Sequence, residues 1–314
     1  MSILDTGGAS EDTRRVLARL GVPDAPLLAK GGESLVFALG NDRVLKVYRG
    51  ADLAAVERVR TFYAGLAAER LPFALPQIEE LGEVEGVCYA IERRMRGRLL
   101  AEALLDLTGQ ARQAALASYL DAVGHLAEIE LADHPYGELL SSERVQADSW
   151  AGYLRQKIER GLEAAAVHLT QDVPADARRE VKRFLDRSLR EIPWPATKRL
   201  VHGDYWPANV FVDAAGGTWQ VSGVIDFSYL TAAGDPLVDV AGAIIFLEGR
   251  EAYDPRDTAF LLERAHARYG EAIDRVLVFY RLYYSCVFGH CKESDSRTYW
   301  WCVGNFLDYA THAS

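Results

Sequence analysis

The chain has 314 residues, of which 49% are hydrophobic, 25% are charged and 10% are aromatic. A chain of this length buries about 75% of the surface that its unfolded form exposes, so a hydrophobic core can stabilise it without disulfides or a structural metal. The composition excludes intrinsic disorder, a collagen-like fibre and a disulfide-rich mini-protein, and the length favours about two domains or lobes.

The formal net charge is −10, and all of it lies beyond residue 100, because acidic and basic residues balance over the first hundred positions. A nucleic-acid-binding protein is disfavoured, since its affinity would come from a basic surface. The excess of carboxylates beyond residue 100 favours a cationic small-molecule partner instead.

Four cysteines, Cys88, Cys286, Cys291 and Cys302, show neither a CxxC motif nor zinc-ligand spacing. They are expected to be reduced and mostly buried thiols of a cytoplasmic protein. Residues 1–10 lack the basic and apolar regions of a signal peptide, and no run approaches 18 apolar residues, so no membrane-spanning segment is expected.

Residues 1–96 have the pattern of a small, mainly antiparallel sheet. The turn residues Gly40-Asn41-Asp42 lie between two apolar runs and predict a tight hairpin. The predicted elements are a helix over Ser10–Leu20 with Ser10 as its N-cap, strands near Leu27–Leu28, Leu35–Leu39, Val44–Tyr48, Gln77–Leu81 and Val87–Glu92, and an apolar-striped helix over Ala51–Leu66.

Residues 97–314 are mainly helical, with one predicted hairpin formed by Asn209–Val212 and Trp219–Asp226. The sequence therefore predicts an α+β protein with an N-terminal lobe over 1–96 and a larger C-terminal lobe over 97–314. The predicted helices cover Gln110–Leu131, Tyr153–Ala166, Asp176–Leu189, Leu237–Leu247, Asp257–Tyr269, Ile273–Cys291 and Ser296–Ala310.

The strongest chemical motif is His202-Gly203-Asp204, followed by Asn209 and by Asp226 at the end of the hairpin. Mg²⁺ prefers oxygen ligands, usually one or two carboxylates together with substrate phosphates. Asn209 and Asp226 can supply such oxygens, which leaves Asp204 to orient a hydroxyl or to accept its proton.

These residues resemble the aminoglycoside phosphotransferase family, whose members are small-molecule kinases. The family's H-G-D-x-x-x-x-N motif is matched by His202 to Asn209, its I-D-[FW] motif by Ile225 to Phe227, and its G-D-P-x-x-D motif by Gly234 to Asp239. The resemblance extends from about Leu28 to Ala310. It implies a two-lobed protein-kinase-like fold, with ATP or GTP as the co-substrate and Mg²⁺ as the metal.

The resemblance also implies a role for each matching residue. Asp204 is the catalytic carboxylate that orients the acceptor hydroxyl, and Asn209 and Asp226 hold the metal. Asp235 and Asp239 are expected to brace the loop or the helix that follows, because carboxylates are favoured at a helix N-terminus.

The nucleotide is expected to bind to the N-terminal lobe. Gly31 and Gly32 lack Cβ atoms and can approach phosphate oxygens closely, and Ser34 can add a hydroxyl. Lys46 lies inside an apolar strand, matches the strand lysine that contacts the phosphates in kinases, and needs a carboxylate partner because an unpaired buried ammonium is costly. Glu57 on the following helix is the predicted partner, with Glu69 as the alternative.

The segment from Tyr89 to Met95 is expected to form the hinge that binds the base. Glu92, Arg93 and Met95 are its predicted nucleotide contacts. Arg96-Gly97 stands where the family commonly has Pro-Gly, so the position of the hinge is defined to within one residue.

The acceptor is expected to bind to the helical lobe. An aminoglycoside-like cation is the first expectation, and the clustered aromatic residues near the C-terminus are expected to belong mainly to the core. The candidate acidic contacts are Glu130, Asp133, Glu138, Asp148, Glu248 and Asp295.

Two other functions stay open. One is a metabolic kinase for choline, homoserine, a sugar or a macrolide. The other is a nucleotide-binding pseudokinase, which the intact set of Lys46, Asp204, Asn209 and Asp226 disfavours. The lack of an A-P-E segment or a long activation loop disfavours a protein kinase, and no segment marks an oligomeric interface.

Overall fold

The computed structural model describes residues 10–248 and 253–313. Its N-terminal part contains a five-stranded, fully antiparallel sheet with the strand order β1-β2-β3-β5-β4. The elements are helix α1 (Glu11–Arg19), strands β1 (Leu27–Lys30), β2 (Ser34–Leu39) and β3 (Arg43–Tyr48), helix α2 (Leu53–Leu66), and strands β4 (Ile78–Val84) and β5 (Val87–Arg93).

Capping residues set the helix starts in this part. The side chain of Ser10 accepts a hydrogen bond from the N–H of Thr13, as expected for the predicted N-cap of α1. Helix α2 starts at Leu53, two residues later than predicted, because the carboxylate of Asp52 accepts from the N–H of Ala55. Between β2 and β3 the chain turns at Gly40, whose φ is +68°.

The C-terminal part is mainly helical, as predicted, and contains two small sheets. Its helices are α3 (Leu100–Ala103), α4 (Gly109–Leu126), α5 (Trp150–Ala164), α6 (Ala166–Asp172), α7 (Ala175–Glu191), α8 (Leu237–Ile245), α9 (Pro255–Tyr269), α10 (Ile273–Phe288) and α11 (Ser296–Ala313). Its strands are β6 (Arg98–Leu99), β7 (Tyr136–Glu138), β8 (Gln146–Ala147), β9 (Arg199–Val201), β10 (Val210–Ala215), β11 (Thr218–Val224) and β12 (Ala232–Gly234).

The predicted hairpin is confirmed as β10 and β11, with β6 at its edge. The other sheet is ordered β8-β7-β12-β9. Only its strand β9 is indicated by the sequence, as a short β segment over Leu200–Asp204, because the other strands of two or three residues are too short to show a periodic pattern. This sheet joins the strand before Asp204 to the strand before α8, and therefore brings two motifs into contact.

Aromatic residues of α5, α10 and α11 fill the core of the helical part. Trp150 stacks on Tyr153, and its indole N–H donates to the hydroxyl of Tyr280 over 2.9 Å. Tyr284 and Tyr299 are also buried, which confirms the expected core role, whereas Trp300 is 53% exposed.

The segment between β5 and β6 connects the two parts. The N–H of Arg94 donates to the carbonyl of Asp42, and the hydroxyl of Ser222 donates to the carbonyl of Arg96. A division of the chain at residue 96 stays a prediction.

All four cysteines are free, and three of them are buried. No helix within residues 10–248 and 253–313 has the length and apolarity needed to cross a bilayer.

Candidate active site

The loop that carries Asp204 follows β9 and is held by the first turn of α8. The backbone N–H groups of His202 and Gly203 donate to the two oxygens of Asp239, over 2.6 and 2.8 Å. Burial raises the pKa of Asp239 to about 7, although both hydrogen bonds favour its ionised form. The expected structural role of Asp239 is therefore confirmed.

Gly203 has a φ of +83° and contacts the neighbouring backbone closely. A Cβ at this position would lie 2.1 Å from the carbonyl oxygen of Leu230. The carbonyl of Gly203 accepts a hydrogen bond from the Tyr284 hydroxyl over 3.0 Å. The backbone that leads to Asp204 can therefore follow this course only with glycine at position 203.

His202 links the Asp204 loop to the strand end that carries Asp226. Its Nδ1 accepts from the N–H of Asp204 over 3.3 Å, so its Nε2 is the nitrogen that donates to the carbonyl of Ile225 over 2.9 Å. Burial lowers the pKa of His202 to about 4, and the ring is neutral at pH 7. A neutral imidazole thus serves as a fixed spacer between the two loops.

The same loops place Asn209 beside Asp204. The amide nitrogen of Asn209 donates to the backbone carbonyl of Asp204 over 2.9 Å and lies 3.4 Å from its Oδ2. This orientation leaves the amide oxygen of Asn209 for another partner. The N–H of Ile225 donates to the Asn209 carbonyl, which joins the start of the hairpin to its end.

Asp226 ends the hairpin with a φ of +69°, in the left-handed region that a residue with a Cβ seldom adopts. Such strain costs about 1–3 kcal/mol and is found mostly at functional sites. The carboxylate is half-exposed, and one of its oxygens lies 3.5 Å from the Nζ of Lys46 on β3. The site thus combines one residue of the sheet with three residues of the helical part.

Lys46 is held as a cation by its surroundings. Burial opposes its charge, but the attraction of Asp226 and of Glu92 outweighs this effect and raises the pKa of Lys46 above its usual range. Burial raises the pKa of Glu92, which lies in the same cleft with Tyr48.

The prediction that Glu57 pairs with Lys46 is wrong. The carboxylate of Glu57 accepts from the guanidinium of Arg60 over 2.7 Å. Val56, Val59 and Tyr63 of α2 line the cleft that contains Lys46. Glu57 follows Val56 by one residue and is therefore rotated by about 100° around the helix.

The alternative partner, Glu69, does not lie at Lys46 either. It lines a separate groove together with Glu57. Asp226 is the carboxylate that contacts Lys46.

The glycine-containing turn lies between β1 and β2. Gly31 and Gly32 are exposed, and the N–H of Gly31 donates to the carbonyl of Ser34. Ser34 is buried at the start of β2, whereas Glu33 lines the cleft that contains Lys46. Glu33 had no distinctive signal in the sequence.

The predicted hinge residues separate into two groups. Glu92 faces the cleft of Lys46, whereas Arg93 and Met95 line a different cavity next to β11. The guanidinium of Arg93 lies 3.4 Å from the carboxylate of Glu79. The expected contacts of this segment with a base stay predictions.

Another cavity, separate from the cleft of Lys46 and from the cavity next to β11, has a volume of about 470 Å³. It begins at Asp204 and extends into the helical part. Asp295 is the one predicted acidic contact in its wall. Glu138 pairs with Lys157 elsewhere, and Glu248 pairs with Arg281. The lining residues are Asp204, Trp206, Phe246, Phe288, Cys291, Asp295, Arg297, Thr298 and Trp301.

Four of these lining residues, Trp206, Phe246, Arg297 and Thr298, were not singled out in the sequence. Trp206 follows Asp204, Phe246 ends α8, and the adjacent pair Arg297 and Thr298 begins α11, so the three segments meet only in the folded chain. Trp206 lies within the H-G-D-x-x-x-x-N motif but at a position that the motif leaves open.

The profile of the Phosphotransferase enzyme family matches residues 24–279. The chain belongs to this family. The sequence resemblance described above is thereby confirmed, and family membership marks the protein as a kinase-type phosphotransferase.

One curated protein, described as a probable ketoamine kinase from Enterococcus faecium, is 29% identical over 154 residues. The match covers 48% of this chain, and the chain spans about half of that relative's length.

Solved structures share the fold over more than nine-tenths of the chain. The complex of APH(2")-IIia with GDP and kanamycin has a TM-score of 0.66 at 14% identity, covering 96% of this chain and 98% of the other. The complex of the aminoglycoside phosphotransferase APH(3'')-Id from Streptomyces rimosus with ADP and streptomycin has a TM-score of 0.56 at 20% identity, covering 94% and 96%.

The macrolide 2'-phosphotransferase MphH from Brachybacterium faecium has a TM-score of 0.56 at 16% identity, covering 93% of this chain and 97% of the other. Together these neighbours confirm the predicted mixed α+β, two-lobed, kinase-like fold.

Proposed function

We propose that this phosphotransferase moves the γ-phosphate of ATP or GTP to a hydroxyl group of a small molecule, with Mg²⁺ as the metal. The observation that carries the proposal is the convergence of Asp204, Asn209, Asp226 and Lys46. A cavity large enough for a small acceptor begins at the same Asp204.

Asp204 would orient the acceptor hydroxyl. Phosphoryl transfer passes through a loose transition state, so catalysis depends mainly on positioning and on neutralising charge. The carboxylate of Asp204 lies between the aromatic cavity and Asn209, where it can accept the proton of a hydroxyl bound in that cavity.

The donor set fits Mg²⁺. Asn209 retains a free amide oxygen, because its nitrogen is the atom that donates to Asp204. The half-exposed carboxylate of Asp226 supplies the charged ligand, and one or two carboxylates plus phosphates are typical of this ion. The metal, when bound, neutralises charge that develops on the β- and γ-phosphates.

Lys46 would bind the phosphates from the side of the sheet. Its pairing with Asp226 holds the ammonium at the cleft. The exposed turn at Gly31 and Gly32 would cover the phosphates, and the backbone of the segment from Glu92 to Met95 would bind the base. Four free cysteines fit an enzyme that acts in the reducing cytoplasm.

The cavity favours a metabolite over an aminoglycoside as the acceptor. The aminoglycoside expectation depends on the family and on the net charge. A polyamine would need several carboxylates, whereas the described wall contains only Asp204 and Asp295 together with aromatic rings and Arg297. The alternative of a metabolic small-molecule kinase is therefore preferred here.

The experiment is Mg²⁺-dependent release of ADP from ATP, and of GDP from GTP, with and without acceptors. The panel contains kanamycin, a macrolide, choline, homoserine and a ketoamine. Asp204→Ala is expected to lower acceptor-stimulated turnover at least about 100-fold while the protein stays folded. Asp308→Ala, which removes an exposed carboxylate of α11, is the matched control and should keep turnover.

Nucleotide binding without transfer to any acceptor would favour the pseudokinase alternative. Near-normal transfer by Asp204→Ala would show that the catalytic carboxylate is a different residue.

A further inference from the structure

Arg297 is the one cation among the described residues that line the acceptor cavity. It lies in the first turn of α11, where the unpaired N–H groups of the helix disfavour a positive charge. Within residues 10–248 and 253–313, no carboxylate forms an ion pair with it. Helix stability therefore gives no reason for an arginine at this position.

The acidic neighbour of Arg297 is engaged in capping the helix. The carboxylate of Asp295 accepts from the N–H of Thr298 over 3.1 Å and from its hydroxyl over 2.7 Å. Both interactions are local, and they satisfy the start of α11. Asp295 thus has a structural use that does not require a cationic ligand.

A second donor in the same wall also lacks an acceptor. The indole N–H of Trp301 is buried and has no hydrogen-bond partner among the described residues. A buried donor without a partner is costly. The guanidinium of Arg297 is exposed at the cavity, so it is the donor that a ligand can reach.

Four of the nine described lining residues are aromatic. Trp206, Phe246 and Phe288 are lining residues together with Trp301. Pockets of this kind bind a ring or a hydrocarbon segment through its apolar face and use a few polar groups to orient it.

We propose that the acceptor carries a carboxylate that binds Arg297 while its hydroxyl lies at Asp204. The proposal deepens the proposed function and rests on it for the role of Asp204. The planar guanidinium matches a carboxylate with two parallel hydrogen bonds. A single cation beside Asp204 and Asp295 suits one negative charge better than the two charges of a phosphate.

The test compares matched ligand pairs that differ only in this group. Isothermal titration calorimetry measures the affinity of the nucleotide-loaded protein for three acids and their amides: glucuronic acid and glucuronamide, homoserine and homoserine amide, and fructosyl-glycine and fructosyl-glycinamide. Kanamycin is the cationic probe. The proteins are the wild type, Arg297→Gln, Arg297→Lys, and Arg70→Gln, which removes an exposed charge that does not line the cavity.

In the wild type, at least one acid should bind about 10-fold or more tightly than its amide. The preference should fall below about 2-fold in Arg297→Gln and persist in Arg297→Lys and Arg70→Gln. No acid preference in any pair, a preference that persists in Arg297→Gln, or tighter binding of kanamycin than of every acid would overturn the proposal.

The ADP-release assay separates this proposal from the proposed function. Transfer to an uncharged acceptor that is insensitive to Arg297→Gln would overturn the carboxylate site and leave the kinase intact. Arg297-dependent binding of an acid, with no nucleotide turnover for any acceptor, would confirm the site and overturn the kinase.

Discussion

Replacing Gly203 with alanine tests how the fold positions Asp204. The added Cβ would lie 2.1 Å from the carbonyl oxygen of Leu230 and 2.6 Å from its carbonyl carbon, where ordinary contact begins near 3.4 Å. The two backbones must therefore separate by about 1 Å. Leu230 cannot move freely, because the neighbouring Thr231 donates through its hydroxyl to the carbonyl of His202.

The expected magnitude has two parts. A Cβ in the left-handed region costs roughly 1–2 kcal/mol, and the contact with Leu230 adds about 1–3 kcal/mol, as other overpacked sites do. Gly217 distinguishes the cost of the backbone conformation from the cost of the contact. Its φ of +84° is nearly that of Gly203, while nothing lies within 4 Å of its Cβ position. Gly217→Ala should therefore cost only the first part.

Chemical denaturation measures the free energy of unfolding of both variants, and the ADP-release assay measures their turnover. Gly203→Ala should be about 1–3 kcal/mol less stable than Gly217→Ala and about 100-fold slower, because a displacement of about 1 Å at a catalytic group has an effect of that size. Equal stability and near-normal turnover of the two variants would refute the argument that the close approach at Gly203 positions Asp204.

Three further predictions concern the same site. Lys46→Met should lower turnover at least about 100-fold, whereas Glu57→Gln should leave it within about 2-fold because Glu57 pairs with Arg60; a large loss in Glu57→Gln would contradict the observed pairing. Asp239→Asn should lower the free energy of unfolding by about 1–3 kcal/mol, since an amide cannot accept from both backbone N–H groups; unchanged stability in denaturation would count against this. The His202 pKa of about 4 is depressed, so the stability that this residue contributes is complete above about pH 6.5 and is lost as the pH falls toward 4. Over that interval the free energy of unfolding of the wild type should fall by about 1.4 kcal/mol per pH unit relative to that of His202→Gln. Parallel curves of unfolding free energy against pH for the two proteins would refute this prediction. The raised pKa of Asp239 has the opposite effect, but it acts in both proteins and cancels in the difference between the two curves.

Local patterns in the sequence determined the elements and the order of the catalytic motif. The turn residues Gly40-Asn41-Asp42 between two apolar runs defined the hairpin of β2 and β3, and Ser10 marked the start of α1, because these signals arise within a few residues of each other. The spacing from Asp204 to Asn209 and the later Asp226 likewise identified the residues that meet at the site.

The tertiary structure alone decided which carboxylate faces Lys46. Glu57 has suitable chemistry and spacing, but the rotation of α2 is set by packing of Val56 and Tyr63 against distant residues. Helical periodicity defines which residues share a face and does not specify where that face points.

The acceptor cavity could not be predicted from the sequence either. Its wall joins Asp204 and Phe246 to Arg297 and Trp301, which come from separate loops and helices. Net charge predicted a cationic ligand, but three of the six candidate acidic contacts, Glu130, Glu138 and Glu248, pair with arginines or a lysine elsewhere on the protein. Chain-wide composition averages over such pairs, and only the three-dimensional arrangement shows which charges stay available to a ligand.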